Sequence, residues 1–208
     1  MTIKVILLDV GGVIVELAGV EGLVKLIGGG LPHDVVSRLW AESESVKKYE
    51  SGLCDTSDFI PSFIQEFKLN ISPGDFVKEF GLYVRGFFPG AVELLQMLKP
   101  RYTLACLSNT SLLHWNSLCE RTSIESYLHH VFLSYEMKLL KPDPGAYSYV
   151  IDKLGCLPNE IAFFDDNEAN VQAGLESGMN AYRVFGAAEL KEKLESLGLI
   201  TQSTIQEE

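Results

Sequence analysis

"KVILLDVGGVIVE", residues 4–16, runs apolar from Val5 to Leu8, stops at Asp9 and continues into two glycines. An apolar run without polar alternation predicts a strand that is buried on both faces of a parallel sheet. The carboxylate at its end has no cation beside it in the sequence, so a group from elsewhere in the fold must balance its charge. The residue two positions further on, Gly11, is not a second acid.

Four further apolar runs share this character and predict the rest of a sheet. They are YTLACLS (residues 102–108), HVFLS (130–134), IAFFDD (161–166) and the weaker NAYRVF (180–185). Helical patterns lie between them: Ala91, Leu94 and Leu98 share one face, and Gly155 suits the C-terminal cap of another helix. Alternating strands and helices predict an α/β fold with a doubly wound, Rossmann-like parallel sheet.

One interval, residues 17–88, breaks this alternation. It carries helix signals and no convincing strand, and about four helices fit into it. Phe59, Phe63 and Phe67 recur at a spacing of four, which indicates core packing on one helix face. We therefore expect an α/β core domain at residues 1–16 and 89–201, an inserted helical domain at 17–88, and a disordered polar tail at 202–208.

The composition excludes several classes of partner. The 17 basic and 28 acidic residues give a net charge of −11, which repels nucleic acid and anionic lipid. The four cysteines lie far apart without a CxxC pair, so we expect reduced thiols and a cytoplasmic location. We expect neither a signal peptide nor a membrane span, because no leader pattern and no sufficiently long apolar run is present.

Polar residues follow the predicted strands at their carboxyl ends, where open parallel sheets bind ligands. Each has an ordinary explanation by itself as a cap, a turn residue or a solvated lysine. Together they predict three carboxylates at one sheet edge, and like charges that close require a cation. Oxygen ligands without thiols favour Mg²⁺. The residues concerned are Asp9, Ser108, Asn109, Lys141, Asp165 and Asp166.

Four segments in order, DVGGV, LACLSNT, LLKPDPGAY and FFDDNEAN, resemble the four motifs of the haloacid dehalogenase superfamily. The likeness covers essentially the whole chain and is to the phosphatase branch that carries a helical C1-type cap. The inserted helical interval falls where that family places its cap. The segment YESGLCDTSDF is similar to a cap segment of sugar-phosphate phosphatases in this superfamily, a less specific likeness.

The resemblance implies a phosphatase that hydrolyses a small phosphorylated metabolite, with a sugar phosphate as the favoured class. Asp9 would be the nucleophile and would carry an aspartyl-phosphate. Mg²⁺ would bind Asp9, the backbone carbonyl of Gly11 and Asp166, with Asp165 behind them. Asn170 would position Asp166 or a metal-bound water. The phosphoryl group would be held by Ser108, the Asn109 backbone N–H and Lys141. A monomer or a homodimer is compatible with this function.

Gly11 stands where the resemblance places the aspartate that protonates the leaving oxygen. Three responses stay open: another acid such as Glu16 replaces it, the substrate has a good leaving group, or the protein is a slow or non-catalytic binder. Dehalogenase chemistry is a further alternative that uses the same Asp9 and needs no metal, and the retained DDNEAN segment argues against it. His114 and Trp115, which follow the second motif, are expected to pack rather than react.

Overall fold

The computed structural model describes residues 2–27 and 29–201. In chain order the strands and helices are β1 (Val5–Leu8), β2 (Val15–Leu17), α1 (Gly19–Leu26), α2 (His33–Glu42), α3 (Glu44–Glu50), α4 (Thr56–Glu66), α5 (Pro73–Gly81), β3 (Val84–Phe87), α6 (Ala91–Leu98), β4 (Thr103–Ser108), α7 (Leu112–Thr122), β5 (His130–Leu133), α8 (Ser134–Met137), α9 (Pro144–Leu154), β6 (Ile161–Asp165), α10 (Glu168–Glu176), β7 (Asn180–Arg183) and α11 (Gly186–Ser196). Short 3-10 turns occupy Ile124–Tyr127 and Pro158–Glu160.

Five strands form a parallel sheet in the order β5-β4-β1-β6-β7. All five apolar runs of the sequence form these strands, so the predicted doubly wound α/β fold is confirmed. β1 lies at the centre, with Leu8 opposite Cys106 on one side and Phe164 on the other. The carboxyl ends of β4, β1 and β6 are therefore neighbours at one edge of the sheet.

The sheet is buried on both faces, as its strands predict. Along β1, Ile6 and Leu8 pack with α6, α7 and α11, whereas Val5 and Leu7 pack with α9 and α10. Side chains alternate across a strand, so an uninterrupted apolar run supplies both layers. This burial holds the strand ends, and the polar residues that follow them, in fixed positions.

The helical insertion, α1 to α5, has a hydrophobic cluster of its own. Phe59 and Phe63 on α4 are fully buried and pack against Phe76 and Phe80 on α5. Phe67 stacks on Phe63 with ring centroids 4.4 Å apart. The phenylalanine stripe is therefore packing, and the interval holds five helices where about four were expected.

The expectation that residues 17–88 contain no strand is wrong. β2 and β3 form an antiparallel ribbon, with Val15 opposite Phe87 and a register shift between Glu16 and Leu17. The strands are short, and β3 contains a charged residue and a glycine, so neither has an apolar run that sequence patterning detects. The ribbon forms both connections between the helical insertion and the sheet. The tail predicted at 202–208 lies outside the described residues.

Membrane spans were sought among the described helices. None of them combines the length and the apolar character that crossing a bilayer requires.

Candidate active site

The site begins where β1, β4 and β6 end side by side. The Asp9 backbone N–H donates to the Phe164 carbonyl at 2.8 Å, which fixes the end of β1 against β6. Carboxylate oxygens of Asp9, Asp165 and Asp166 all lie within 4.8 Å of one another. The structure thus brings together the three carboxylates that the strand ends predict.

Lys141 lies between two of these carboxylates and pairs with both. Its Nζ donates to Asp9 Oδ1 at 2.7 Å and to Asp165 Oδ2 at 2.6 Å, and its side chain is 1% exposed. Burial alone would lower the pKa of Lys141, but the negative charges of Asp9 and Asp165 raise it above its ordinary value. The ammonium is therefore a permanent positive charge in the centre of the site.

The site carries an excess of negative charge even with Lys141 in place. Burial raises the pKa of Asp9, Lys141 opposes that rise, and the charge of Asp165 adds to it. Burial also raises the pKa of Asp166, with Asp165 contributing. Three carboxylates and one ammonium leave at least one uncompensated charge in a poorly solvated position, which a divalent cation would stabilise.

Asp165 and Asp166 have different environments. Asp165 is fully buried, and its carboxylate accepts hydrogen bonds from Lys141, the Asn167 backbone N–H at 2.9 Å and Asn170 Nδ2 at 3.0 and 3.1 Å. Asn170 was expected to position Asp166 or a metal-bound water, and its side chain donates to Asp165 instead. Asp166 is only partly buried, and no described side chain donates to its carboxylate, which leaves it open to a cation.

The residues present fit a magnesium ion. Mg²⁺ prefers oxygen ligands, and the carboxylates of Asp9 and Asp166 supply them. The Gly11 carbonyl accepts no hydrogen bond from the described residues, so it remains available as a third oxygen. Gly12 has a φ of 79°, and a Cβ there would lie 2.5 Å from Asp166 Oδ2. Only glycine allows the loop to pass this close to the carboxylate.

The part of the site that follows β4 is built from two loops that bind each other. Asn109 Nδ2 donates to the Lys141 carbonyl at 2.8 Å, and the Lys141 N–H donates to Asn109 Oδ1 at 2.9 Å. The sequence predicts a role for the Asn109 backbone only, so its side chain is a positioning group that sequence reasoning missed. Ser108 is buried, and its hydroxyl is bonded to no described residue, so it is free to meet a ligand.

Two further buried side chains support the site and were not predicted. Ser134 Oγ accepts from the Thr110 N–H at 3.0 Å and donates to the Thr110 carbonyl at 3.1 Å, which fixes the loop after β4. Tyr147 Oη donates to the Asn170 carbonyl at 2.9 Å. A serine that ends the apolar run HVFLS was a usable signal for Ser134, whereas Tyr147 lies within an ordinary helical pattern.

The other residues that the sequence analysis considered, Glu16 and His114, are not part of this carboxylate cluster. Glu16 Oε1 accepts from Arg85 Nη1 at 2.6 Å across the β2–β3 ribbon, and Arg85 also pairs with Glu21. His114 stacks on Phe80 of the helical insertion at 4.0 Å between ring centroids, as the packing expectation requires. Glu16 is therefore paired with Arg85 at a partly exposed position, and its role as an acid stays a prediction.

A sequence profile for the haloacid dehalogenase-like hydrolases matches residues 3–178, from the strand before Asp9 to beyond Asp166. The chain belongs to the haloacid dehalogenase-like hydrolases. The family resemblance carried by the four motifs is therefore confirmed, as is the expectation of a hydrolytic enzyme. In this haloacid dehalogenase-like hydrolase the four motifs supply Asp9, Ser108, Lys141 and the Asp165–Asp166 pair.

Curated relatives of this hydrolase include phosphatases and a dehalogenase. The D-ribitol-5-phosphate phosphatase of Bacteroides thetaiotaomicron is 25% identical over 92% of this chain and 97% of its own length. The (S)-2-haloacid dehalogenase 4A of Burkholderia cepacia is 29% identical over 53% of this chain. The matched region spans about half of the length of that dehalogenase (52%).

A solved structure supports both the fold and the metal chemistry of the family. A haloacid dehalogenase family enzyme of Bacteroides thetaiotaomicron, in complex with magnesium and inorganic phosphate, superposes with a TM-score of 0.75 at 26% identity. The match covers 87% of this chain and 93% of that one. Magnesium and phosphate are thus ligands of a structural relative that matches this chain over most of the length of both proteins.

Proposed function

We propose that this hydrolase is a Mg²⁺-dependent phosphomonoesterase that cleaves a small phosphorylated metabolite, with a sugar or polyol phosphate as the favoured class. The observation that carries the proposal is the cluster of Asp9, Asp165 and Asp166 within 4.8 Å, with the Lys141 ammonium bonded to two of them. A site with this charge pattern suits a cation together with a phosphate anion. The D-ribitol-5-phosphate phosphatase among the relatives, matched over nearly its whole length, supports the same chemistry.

In the proposed reaction the Asp9 carboxylate attacks phosphorus and the bond to the leaving oxygen breaks. The phosphoryl group is then carried on Asp9, and water attacks phosphorus to release inorganic phosphate and restore the carboxylate. A carboxylate is a weak nucleophile, so orientation and charge stabilisation supply most of the rate enhancement. The buried Lys141 ammonium and the unpaired Ser108 hydroxyl are the groups that orient the phosphoryl oxygens.

The metal would be held by Asp9, the Gly11 carbonyl and Asp166. When bound, Mg²⁺ supplies positive charge that lets an anionic phosphate approach an anionic nucleophile. Asp165, fully occupied by Lys141, Asn167 and Asn170, fixes the position of the ammonium. The helical insertion acts as a cap that excludes water and selects the leaving group.

Dehalogenation of a 2-haloacid is the second candidate, favoured by the 29% identity with the Burkholderia cepacia enzyme. In that reaction Asp9 would attack carbon and no cation would be needed. The third carboxylate, Asp166, then adds negative charge near a carboxylate substrate. The repulsion between the two charges weakens the affinity for that substrate. The charge pattern therefore favours the phosphatase.

Hydrolysis of p-nitrophenyl phosphate with and without Mg²⁺ tests the proposal directly. We expect turnover that chelation with EDTA abolishes and that magnesium restores. The Asp9→Asn variant should lose turnover completely, while Asp152→Asn, a change at an exposed position of α9, should not. Chloride release from 2-chloropropionate together with no phosphate release would overturn the assignment.

Thermal melting distinguishes a phosphatase from a protein that binds phosphorylated ligands without turnover. Mg²⁺ with beryllofluoride, a phosphoryl mimic, should raise the melting temperature of the wild type and not that of Asp9→Asn, because the mimic attaches to that carboxylate. Stabilisation by the mimic without cleavage of any phosphoester would identify a binder. A panel of phosphorylated sugars and polyols with phosphate detection then defines the substrate.

A further inference from the structure

One chemical group is missing from the proposed site. Protonation of a leaving alkoxide contributes ~10²–10⁴-fold to rate, and Gly11 has no side chain to provide it. Glu16, the nearest acid along the chain after Asp9, is bonded to Arg85 and partly exposed. A proton donor for a poor leaving group can instead come from the helical insertion, whose α3 and α5 contact α8 and α7 of the core.

The C-terminal end of α3 touches the α/β core beside the end of β4. The Leu113 N–H, at the start of α7, donates to Tyr49 Oη at 3.3 Å. Two residues after α3, a Cβ at Gly52 would lie 2.0 Å from the Tyr135 carbonyl, so the two backbones are in direct contact. Ser108 at the end of β4 pairs with Leu133 at the end of β5, immediately before α8. Residues 49–52 therefore lie against the loops that follow Ser108 and Leu133.

Glu50 lies between these two contacts and is the last residue of α3. Its side chain is partly buried and forms no hydrogen bond or ion pair with the described residues. Burial raises the pKa of Glu50 to about 7, and no charged group contributes to that shift. A carboxyl group in this state is present both as acid and as carboxylate at neutral pH, which suits proton transfer in either direction.

Two other polar groups at this junction have no hydrogen-bond partner among the described residues, but they are unsuited to proton transfer. His114 Nε2 and Tyr83 Oη are buried without a hydrogen-bond partner among the described residues. Burial lowers the pKa of His114 to about 4 and raises that of Tyr83, so neither exchanges a proton readily at neutral pH. Both pack in the aromatic cluster around Phe80 rather than toward the strand ends.

We infer that Glu50 is the general acid and base of the reaction and replaces the side chain that Gly11 lacks. This inference rests on the proposed phosphatase function. As the Asp9 oxygen bonds to phosphorus and the ester P–O bond breaks, the Glu50 carboxylic acid gives its proton to the leaving oxygen and an alcohol departs. The Glu50 carboxylate then takes a proton from the water that attacks phosphorus. The P–O bond to Asp9 breaks, inorganic phosphate forms, and the acid is restored.

The inference also defines the substrate class. Alkyl phosphates, including primary sugar and polyol phosphates, leave as basic alkoxides and need the proton. Aryl phosphates leave as weakly basic phenolates and need it much less. Because the acid is on the helical insertion, the catalytic constellation is complete only when that insertion lies against the core.

Comparison of two substrates tests the role of Glu50. In Glu50→Gln we expect kcat/KM on a primary alkyl phosphate to fall by ~10²–10⁴-fold, and kcat/KM on p-nitrophenyl phosphate to fall by a much smaller factor. The comparison uses kcat/KM because it reports the step that forms the aspartyl-phosphate, whereas hydrolysis of that intermediate is the same for both substrates. The matched control, Glu44→Gln, changes an exposed carboxylate at the other end of the same helix and should leave the ratio of the two rates at its wild-type value. Equal losses on both substrates, or no loss on either, would overturn the inference.

Two measurements separate failure of this inference from failure of the proposed function. If Asp9→Asn still cleaves either substrate, the aspartyl-phosphate mechanism fails and the role of Glu50 fails with it. If Asp9→Asn is inactive but Glu50→Gln retains the wild-type ratio of rates, only the role of Glu50 is wrong. Folding of Glu50→Gln is checked by its melting temperature with Mg²⁺ and beryllofluoride. If that variant does not fold, Glu50→Asp, which keeps the acid on a shorter stem, must show the same selective loss on the alkyl phosphate.

Discussion

Leu17 occupies the space beside Gly11: a Cβ built at Gly11 would lie 2.5 Å from Leu17 Cδ1. The backbone of Gly11 is not in the left-handed region, so glycine is not required there by conformation. The apolar side chain, rather than the chain path, therefore occupies the place of an acid at this position, and an acid there requires Leu17 to move. Leu17 lies in β2 at the junction with the helical insertion and is half exposed, so it can be shortened without opening the core.

This contact predicts how an acid can be introduced. Gly11→Asp alone should gain less on alkyl phosphates than the same change with a shortened Leu17, because the new side chain must first displace Leu17. Gly11→Asp combined with Leu17→Ala should increase kcat on a primary alkyl phosphate, and most strongly in a Glu50→Gln background, where up to ~10²-fold can be recovered. Steady-state kinetics on alkyl and aryl phosphates measure this recovery. Leu17→Ala alone is the control, and recovery in that variant would show that the added carboxylate is not the cause.

Lys141 is the cation that pairs with the buried carboxylates of Asp9 and Asp165. Lys141→Ala leaves Asp9 and Asp165 buried without their cation, which typically costs ~3–5 kcal/mol of unfolding free energy. A domain of ordinary stability survives that loss at 25 °C, so activity can still be measured, and we expect it to fall by at least ~10²-fold. Urea denaturation measures the change in unfolding free energy, and hydrolysis of p-nitrophenyl phosphate measures the loss of activity.

Lys191→Ala is the matched control for that variant. Its ammonium lies 3.9 Å from Glu195 on the exposed face of α11, and such a pair contributes ~0.5 kcal/mol or less. A Lys141→Ala protein as stable as Lys191→Ala would mean that Asp9 and Asp165 are not both ionised in the folded state. The electrostatic account of the site would then be wrong.

The sheet could be predicted from the sequence because its strands are buried on both faces and therefore form uninterrupted apolar runs. Asp9, Asp165 and Asp166 followed from the strand ends, and the proximity of those ends follows from the parallel order of β4, β1 and β6. The β2–β3 ribbon was missed because short, half-exposed strands leave no such signal. The Asn109–Lys141 contact was missed because it joins residues 32 positions apart through side chain and backbone. No local pattern encodes a contact of that kind.

Gly52 is a point of close contact between the helical insertion and the core. A methyl group there would meet the Tyr135 carbonyl at 2.0 Å, and a φ of 64° makes any side chain strained. Gly52→Ala should therefore hold the insertion away from the strand ends and reduce kcat/KM by ~10-fold or more. Gly74→Ala, in α5 with nothing within 4 Å of the added carbon, is the control and should behave as the wild type or be slightly more stable. Equal kinetics in the two variants would show that closure does not depend on this contact.

His114 predicts a specific loss of stability in acid. Burial against Phe80 lowers its pKa to about 4 from an ordinary value of 6.5, so the unfolded chain takes up a proton at a higher pH than the folded protein. The stabilisation is fully present above pH 6.5 and is lost as the pH falls toward 4, by ~2–3 kcal/mol. Glu50 has the opposite dependence, because its raised pKa makes the folded state less stable as the pH rises from 4.5 to about 7. The two effects must therefore be separated by variants.

His114→Phe keeps an aromatic ring against Phe80 and removes the titrating nitrogen. We expect its unfolding free energy to exceed that of the wild type by an amount that grows as the pH is lowered from 7 to 4, measured by urea denaturation at each pH. His130→Phe, a change at a solvent-exposed position of β5, is the control and should show no such growth. Parallel curves for the wild type and His114→Phe over this range would mean that His114 is protonated in the folded state. The aromatic contact between the helical insertion and α7 would then have to accommodate a buried cation.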